Sequence, residues 1–308
     1  MNNYIKIFSN SEDFTEGIYG QCLCWLLEVL YYLEKNNLYN INDNNTKVIF
    51  DINTHNNKNL IPKFIKPKKK YNFDEVNIKL IEISLHKFFI DNVANNKLLE
   101  INTESFKIAN KIFNKYFEFN NFILDKVYNL DINDKTLGIH YRGTDKNYDK
   151  GQSNFIKREE MLLIVKDYIE NNEIEKIFCC SDEQAFINEI KIEYPNKVIE
   201  YNQTRSNNSS NFGFFRKGAN SSYVDRDNLT YSSIIDMLAL SKCKTIIKTS
   251  SALSGFSKII NPNIKLYTVS AMKMPWFPAA VAEKYTSNSE EIKKILKRTM
   301  INDCYNEI

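Results

Sequence analysis

From Thr136 onward, short apolar runs alternate with longer segments whose apolar residues recur every three or four positions. No other feature of the sequence constrains the fold as strongly. TLGIHY (136–141) predicts a strand, REEMLLIVKDYIEN a helix, KIFCC a strand, EQAFINEIKIEY a helix and KVIEY a strand. After a polar stretch from Asn202 to Asp227, LTYSSIIDMLALS predicts a helix, KTIIK a strand, LSGFSKII a short helix and IKLYTV a strand. Strands joined by crossover helices in this way build a parallel sheet with helices on both faces.

The earlier part of the chain reads differently. Tyr4 to Phe8 predicts a strand, about Gly20 to Lys35 an apolar helix, and KVIFDI (47–52) a second strand. Phe73 to Asn129 reads as mostly helical, through IKLIEISLHKFFIDNV and again through FKIANKIFNKYFEF. DINDK (131–135) is a polar linker. A chain of 308 residues has room for two domains. The expected division is an N-terminal α/β domain over 1–130, a second over 131–273 and a tail over 274–308. An amphipathic tail helix around Glu290 to Lys297 is expected to pack back on the first domain.

Composition excludes several classes. With 43% hydrophobic and 26% charged residues the chain is not disordered. Its 41 basic and 38 acidic residues leave a net charge of +3, too balanced for a dedicated nucleic-acid binder. KFIKPKKK (63–70) reads as a solvated loop, with a docking patch for an anionic acceptor as the sharper alternative. No apolar run reaches the roughly 18 residues of a membrane span; the most apolar stretch, Cys22 to Leu33, is interrupted by Glu28. The N-terminus lacks the apolar core of a signal peptide, so a cytoplasmic address is expected. None of the six cysteines makes a CxxC or zinc spacing, which predicts reduced core thiols.

In a doubly wound sheet, ligands bind beyond the carboxyl ends of the strands. Arg142-Gly143-Thr144-Asp145-Lys146 follows the first strand of the alternating series, Ser181-Asp182-Glu183 follows KIFCC, and Thr249-Ser250-Ser251 follows KTIIK. Ser, Thr and Asp also cap helices that follow strands, but an arginine does not, and a helix N-terminus repels it. Of the chain's 8 glycines, Gly17, Gly20, Gly138, Gly143 and Gly255 fall near such loops. These groups suit a diphosphate: a guanidinium pairs bidentately with phosphate oxygens, and serines with the first amides of a helix add neutral donors. Neither a Walker loop nor GxGxxG occurs, which removes the main support for ATPase and nicotinamide readings.

Gly138-Ile-His-Tyr-Arg-Gly-Thr-Asp-Lys146 resembles the HxRRTDK signature of α1,6-fucosyltransferases of the Nod-factor and N-glycan-core types, with relatives among α1,2- and protein O-fucosyltransferases. Asp236-Met-Leu-Ala-Leu-Ser241 running into Thr249-Ser-Ser251 resembles that superfamily's D-x-x-x-L-S and Ser-rich turn, and Gly17-Ile-Tyr-Gly-Gln21 its first-domain opening. The resemblance implies an α/β, GT-B-like fold of two facing Rossmann-like domains, and inverting transfer of fucose from GDP-fucose to a glycan hydroxyl. No metal or other cofactor is implied.

Carried over by position, Arg142 would grip the β-phosphate with Ser250, Ser251 and the amide of Ala252. The His140 backbone and Asp236 would read guanine, Tyr19 and Gly20 would approach from the opposite domain, and Asp182 would match the acidic position after the next strand. Asp145 and Lys146 would lie beside the sugar, with Asp145 or Asp149 as acceptor base. Gly143 departs from the pattern, since many relatives carry a second arginine there.

Two other readings compete. A metal-dependent sugar transferase could hold its cation on Asp225 and Asp227, spaced as DxD; alternatively Asp227 is the N-cap of the helix that follows. A binding module for a GDP-sugar or a glycan that has lost catalysis is the second.

Overall fold

The computed structural model describes residues 2–9, 22–43, 45–54, 58–59, 65–68, 78–95, 99–143, 154–202, 205, 226–273 and 275–300. It divides into two compact units, Met1–Leu124 and Asp125–Ile308.

In chain order, the first unit contains β1 (Asn2–Ser9), α1 (Leu23–Lys35), β2 (Thr46–Thr54), β3 (Lys58–Asn59), β4 (Ile65–Pro67) and β5 (Ile78–Ser84). It continues with α2 (Leu85–Phe88, extended by a π-turn to Val93), α3 (Glu104–Tyr116), β6 (Phe117–Phe119) and α4 (Asn121–Tyr128), which straddles the boundary. The sheet order is β3-β2-β1-β5, with β1 parallel to both neighbours and β3 antiparallel to β2. Ile5 and Ile7 of β1 are fully buried, aligned with Val48 and Phe50 of β2 and with Ile81 and Ile83 of β5. Glu28, the one charge in the apolar face of α1, is buried and accepts a hydrogen bond from the Leu99 N–H at 3.2 Å.

Two local expectations are corrected here. IKLIEIS reads as the start of a helix, yet it is β5. Its isoleucines satisfy a period of two as well as three, and pairing along all of β1 selects the extended form. Part of the basic run is also ordered differently from a solvated loop. Ile65–Pro67 is β4, antiparallel to β6, with Ile65 buried, Lys66 paired to Glu118 at 3.1 Å and Lys68 Nζ donating to the Asn114 carbonyl at 3.0 Å.

The second unit follows the predicted alternation: β7 (Thr136–Tyr141), α5 (Arg158–Glu170), β8 (Lys176–Ser181), α6 (Gln184–Glu193), β9 (Val198–Ile199), α7 (Arg226–Leu240), β10 (Thr245–Lys248), α8 (Ala252–Ile260), β11 (Lys265–Thr268), β12 (Glu283–Lys284) and α9 (Glu290–Thr299). All six strands are parallel, in the order β12-β11-β10-β7-β8-β9. The first strand in chain order is therefore central, and the direction of winding reverses between β7 and β10. The two faces are filled by different helices. Leu137, Ile139 and Tyr141 point into a core with α5 and α6. On the opposite face, a Cβ on Gly138 would lie 3.0 Å from Leu240 of α7, and His140 reaches Ser254 of α8.

Sequence reading sent the tail helix to the first domain. Instead Ile292, Ile295, Leu296 and Met300 belong to the core of the second unit. Arg298 fixes the register by donating to Glu160 of α5 at 2.6 Å and to the Phe155 carbonyl at 3.0 Å. No helix among the described residues is long and apolar enough to cross a membrane. Cys22, Cys24, Cys179, Cys180 and Cys243 are buried free thiols, and burial pushes their pKa values up.

Candidate active site

The carboxyl ends of β7, β8, β10 and β11 are joined by hydrogen bonds between their loops. The Arg142 N–H donates to Thr249 Oγ1 at 2.9 Å, tying the β7 end to that of β10. The Gly143 N–H donates to Asp182 Oδ1 at 2.9 Å, tying it to β8. The Ser250 N–H donates to Ser270 Oγ at 3.0 Å, and the Ser250 hydroxyl donates to the Ser270 carbonyl, tying β10 to β11. Arg142, Asp182, Ser250, Ser251 and Ala252 are thus brought to one edge, at the point where the winding reverses.

Individual roles differ from one another. Asp182 does not cap α6, because its carboxylate is held by the β7 turn; Ser181 Oγ instead accepts from the Glu183 N–H at 3.0 Å. Ser251 is the N-cap of α8, its Oγ accepting from the Leu253 N–H at 3.3 Å. Its hydroxyl proton has no acceptor among the described residues, and Ala252 begins the helix beside it. Ser250 is buried, with both polar groups given to Ser270. It therefore shapes the turn rather than presenting a free hydroxyl.

His140 is buried, and its Nδ1 shares a hydrogen bond with Ser254 Oγ at 3.0 Å. Burial, with Arg142 and Lys248 adding positive potential, pushes its pKa down to about 3, so the imidazole is neutral at physiological pH. Its carbonyl already accepts from the Thr249 N–H at 3.0 Å. Asp236, on α7, is also buried; its negative charge raises the pKa of Cys180 and Tyr201, which puts it near the end of β8.

Gly143 has a steric explanation. A Cβ there would lie 2.2 Å from Glu183 Oε1 and 2.7 Å from the Tyr141 ring, so the space a side chain at 143 would enter is already filled.

Three residues of this edge were not singled out from the sequence. Lys248 is fully buried at the end of β10, paired in register with His140, and donates to the Ala279 carbonyl at 2.6 Å. Burial pushes its pKa down to about 7. A lysine on the same face as His140, in an otherwise apolar strand, was the available signal. Ser270 is the partner of Ser250, and nothing in IKLYTVS marks it. Arg205 is buried in the polar stretch and donates to the Ser181 and Tyr201 carbonyls at 3.2 and 2.8 Å.

Tyr19, Gly20, Asp145, Lys146, Asp149 and Asp225 lie outside the described residues. Asp227 does not cap its helix, because α7 already begins at Arg226 and leaves it within the first turn. Among the described residues no cluster of three or more His, Cys, Asp or Glu side chains could hold a metal ion.

No protein-family model matches the chain, and no curated protein does either. Solved structures do. NodZ, an α1,6-fucosyltransferase from Bradyrhizobium crystallised with GDP, aligns with a TM-score of 0.49 and 12% identity over 86% of this chain and 94% of its own. FUT1 from Arabidopsis thaliana with GDP aligns at 0.47 and 9% identity, over 91% and 72% of the two chains. POFUT1 with GDP-fucose aligns at 0.42 and 10% identity, over 85% and 94%. These three solved structures are of fucosyltransferases.

Proposed function

We propose that the protein is a glycosyltransferase that moves fucose from GDP-fucose to a hydroxyl of a glycan, with inversion at the anomeric carbon and without a metal. One observation supports the reading: at the reversal point of a 3-2-1-4-5-6 parallel sheet, the Arg142 backbone is bonded to Thr249, two residues before the Ser251 N-cap of α8. A guanidinium and a positive helix end together suit a pyrophosphate. The sequence resemblance narrows the donor to GDP-fucose and the fold to GT-B-like, with two Rossmann-like domains.

In the reaction, the acceptor hydroxyl oxygen forms a bond to fucose C1 as the bond from C1 to the β-phosphate oxygen breaks. The electron pair leaves with GDP, and the acceptor proton passes to a carboxylate, for which Asp145 or Asp149 is proposed from the motif. Arg142, Ser251 and the Ala252 amide stabilise the charge that develops on GDP. Asp236 is proposed to read the guanine N–H groups. Ser250 acts by shaping its turn, and His140 by remaining neutral beneath the site.

The test is a panel of nucleotide sugars scored for a rise in melting temperature, because a ligand that binds the native state stabilises it. GDP-fucose is expected to stabilise most, and slow GDP release without an acceptor is expected to persist in EDTA. Stabilisation by UDP-sugars alone would refute the donor assignment. Loss of turnover on chelation would restore the DxD alternative.

A further inference from the structure

Glu183 is the most heavily buried acid at this edge, with its side chain only 1% exposed. Among the described residues neither carboxyl oxygen accepts a hydrogen bond, and its one ion pair, to Arg158 Nη1, is loose at 3.6 Å. A buried carboxyl without hydrogen bonds is costly to keep, so packing alone is a poor reason for it. Its position supplies another. The carboxyl lies against Gly143 so closely that even a methyl group there would meet Oε1 at 2.2 Å and Cδ at 2.6 Å. Gly143 follows Arg142 directly and is stitched on its other side to Asp182, the neighbour of Glu183.

We propose that Glu183 is a positioning residue: its carboxyl props the Arg142–Gly143 turn from below and so sets the site's affinity for the pyrophosphate of a nucleotide sugar. This rests on the donor reading given above. The prop is also a charge. Burial, with Asp182 beside it, pushes the Glu183 pKa up to about 7. Among the described residues the charged groups facing it are Asp182, Arg158 and Glu159 of α5, and Glu189 of α6; of these only Arg158 favours the ionised form. The Tyr141 hydroxyl, its pKa raised mainly by burial, stays protonated. Ionisation of Glu183 therefore adds a negative charge beneath the pyrophosphate site as the pH rises through neutrality.

The experiment measures GDP-fucose affinity by calorimetry and melting temperature in the wild type, Gly143→Ala, Gly143→Ala/Glu183→Ala and Glu183→Gln. GDP-fucose has no phosphate group that titrates near neutrality. Gly143→Ala is expected to weaken binding about tenfold or more through the clash, and adding Glu183→Ala to recover about half of that loss in free energy, since the new Cβ would still lie 2.7 Å from the Tyr141 ring. Wild-type affinity is expected to fall about threefold between pH 6 and pH 8, while Glu183→Gln, of the same size, binds evenly across that range. If Gly143→Ala fails to fold, recovery of folding and binding in the double variant reads the same coupling. Wild-type binding with no rescue in the double variant, or identical pH profiles for the wild type and Glu183→Gln, would overturn the role of Glu183. Absence of wild-type binding would instead overturn the donor reading, and the affinity claim with it.

Discussion

Replacing Lys248 with methionine tests the electrostatics of the site without touching its surface. Lys248 is fully buried, and among the described residues its ammonium group has one hydrogen-bond partner, the Ala279 carbonyl. Its pKa is about 7 in the folded chain against 10.5 for the free side chain. Between those values the unfolded chain holds a proton that the folded chain has released, so stability rises with pH across the interval. The contribution is complete above the unfolded value and lost as pH falls through the folded one. At about 1.4 kcal/mol per unit, the full difference is roughly 5 kcal/mol, of which about 2 kcal/mol falls between pH 7 and pH 9. Urea unfolding of the wild type and Lys248→Met at half-unit steps isolates this, since other titrating lysines and tyrosines cancel in the difference. The wild type is expected to gain on the variant by about 2 kcal/mol over that window. A constant difference at every pH would show that Lys248 is charged in the folded state, and the reasoning would fail.

Arg142→Ala is expected to cut fucose transfer by at least about 100-fold, the scale of losing a donor that stabilises a leaving group. Near-normal turnover in a steady-state assay would remove Arg142 from the site. Gly255→Ala should cost about 1–3 kcal/mol of stability, because its Cβ would lie 2.4 Å from the Pro278 carbonyl oxygen, a backbone atom that cannot swing aside. An unchanged melting temperature would show that the segment through Pro278 is free to move.

Local pattern predicted much of the second unit because β7, β8 and β10 are short, largely apolar strands, each with a helix next in order. KIFCC, EQAFINEIKIEY and KTIIK admit few alternatives. IKLIEIS failed because its choice between helix and strand rests on β1, more than seventy residues earlier in the chain, and no local window contains that partner. The strand-end rule brought Arg142, Asp182 and Ser251 to one edge from sequence alone. It could not separate a serine that faces a ligand from one that braces a turn, since Ser250 and Ser251 differ only in which neighbour lies within 3.5 Å. Burial of Lys248 and the volume taken by Glu183 arise from packing between distant segments. Motif spacing does not carry such information, and the glycine at 143 has a cause only once Glu183 is seen beside it.

Residues far along the chain complete the β10 and β11 end of the sheet. Ala279 receives the Lys248 ammonium, and the Thr299 carbonyl accepts both the Ala271 N–H at 2.9 Å and the Asn154 side-chain amide at 3.1 Å. During synthesis, which proceeds from the N-terminus, the sheet can assemble its strands early but cannot lock this rim until Thr299 has left the ribosome. A message broken off after β12 would yield a protein with every strand-end residue of the site in its sequence and no Thr299 to finish the rim that holds them.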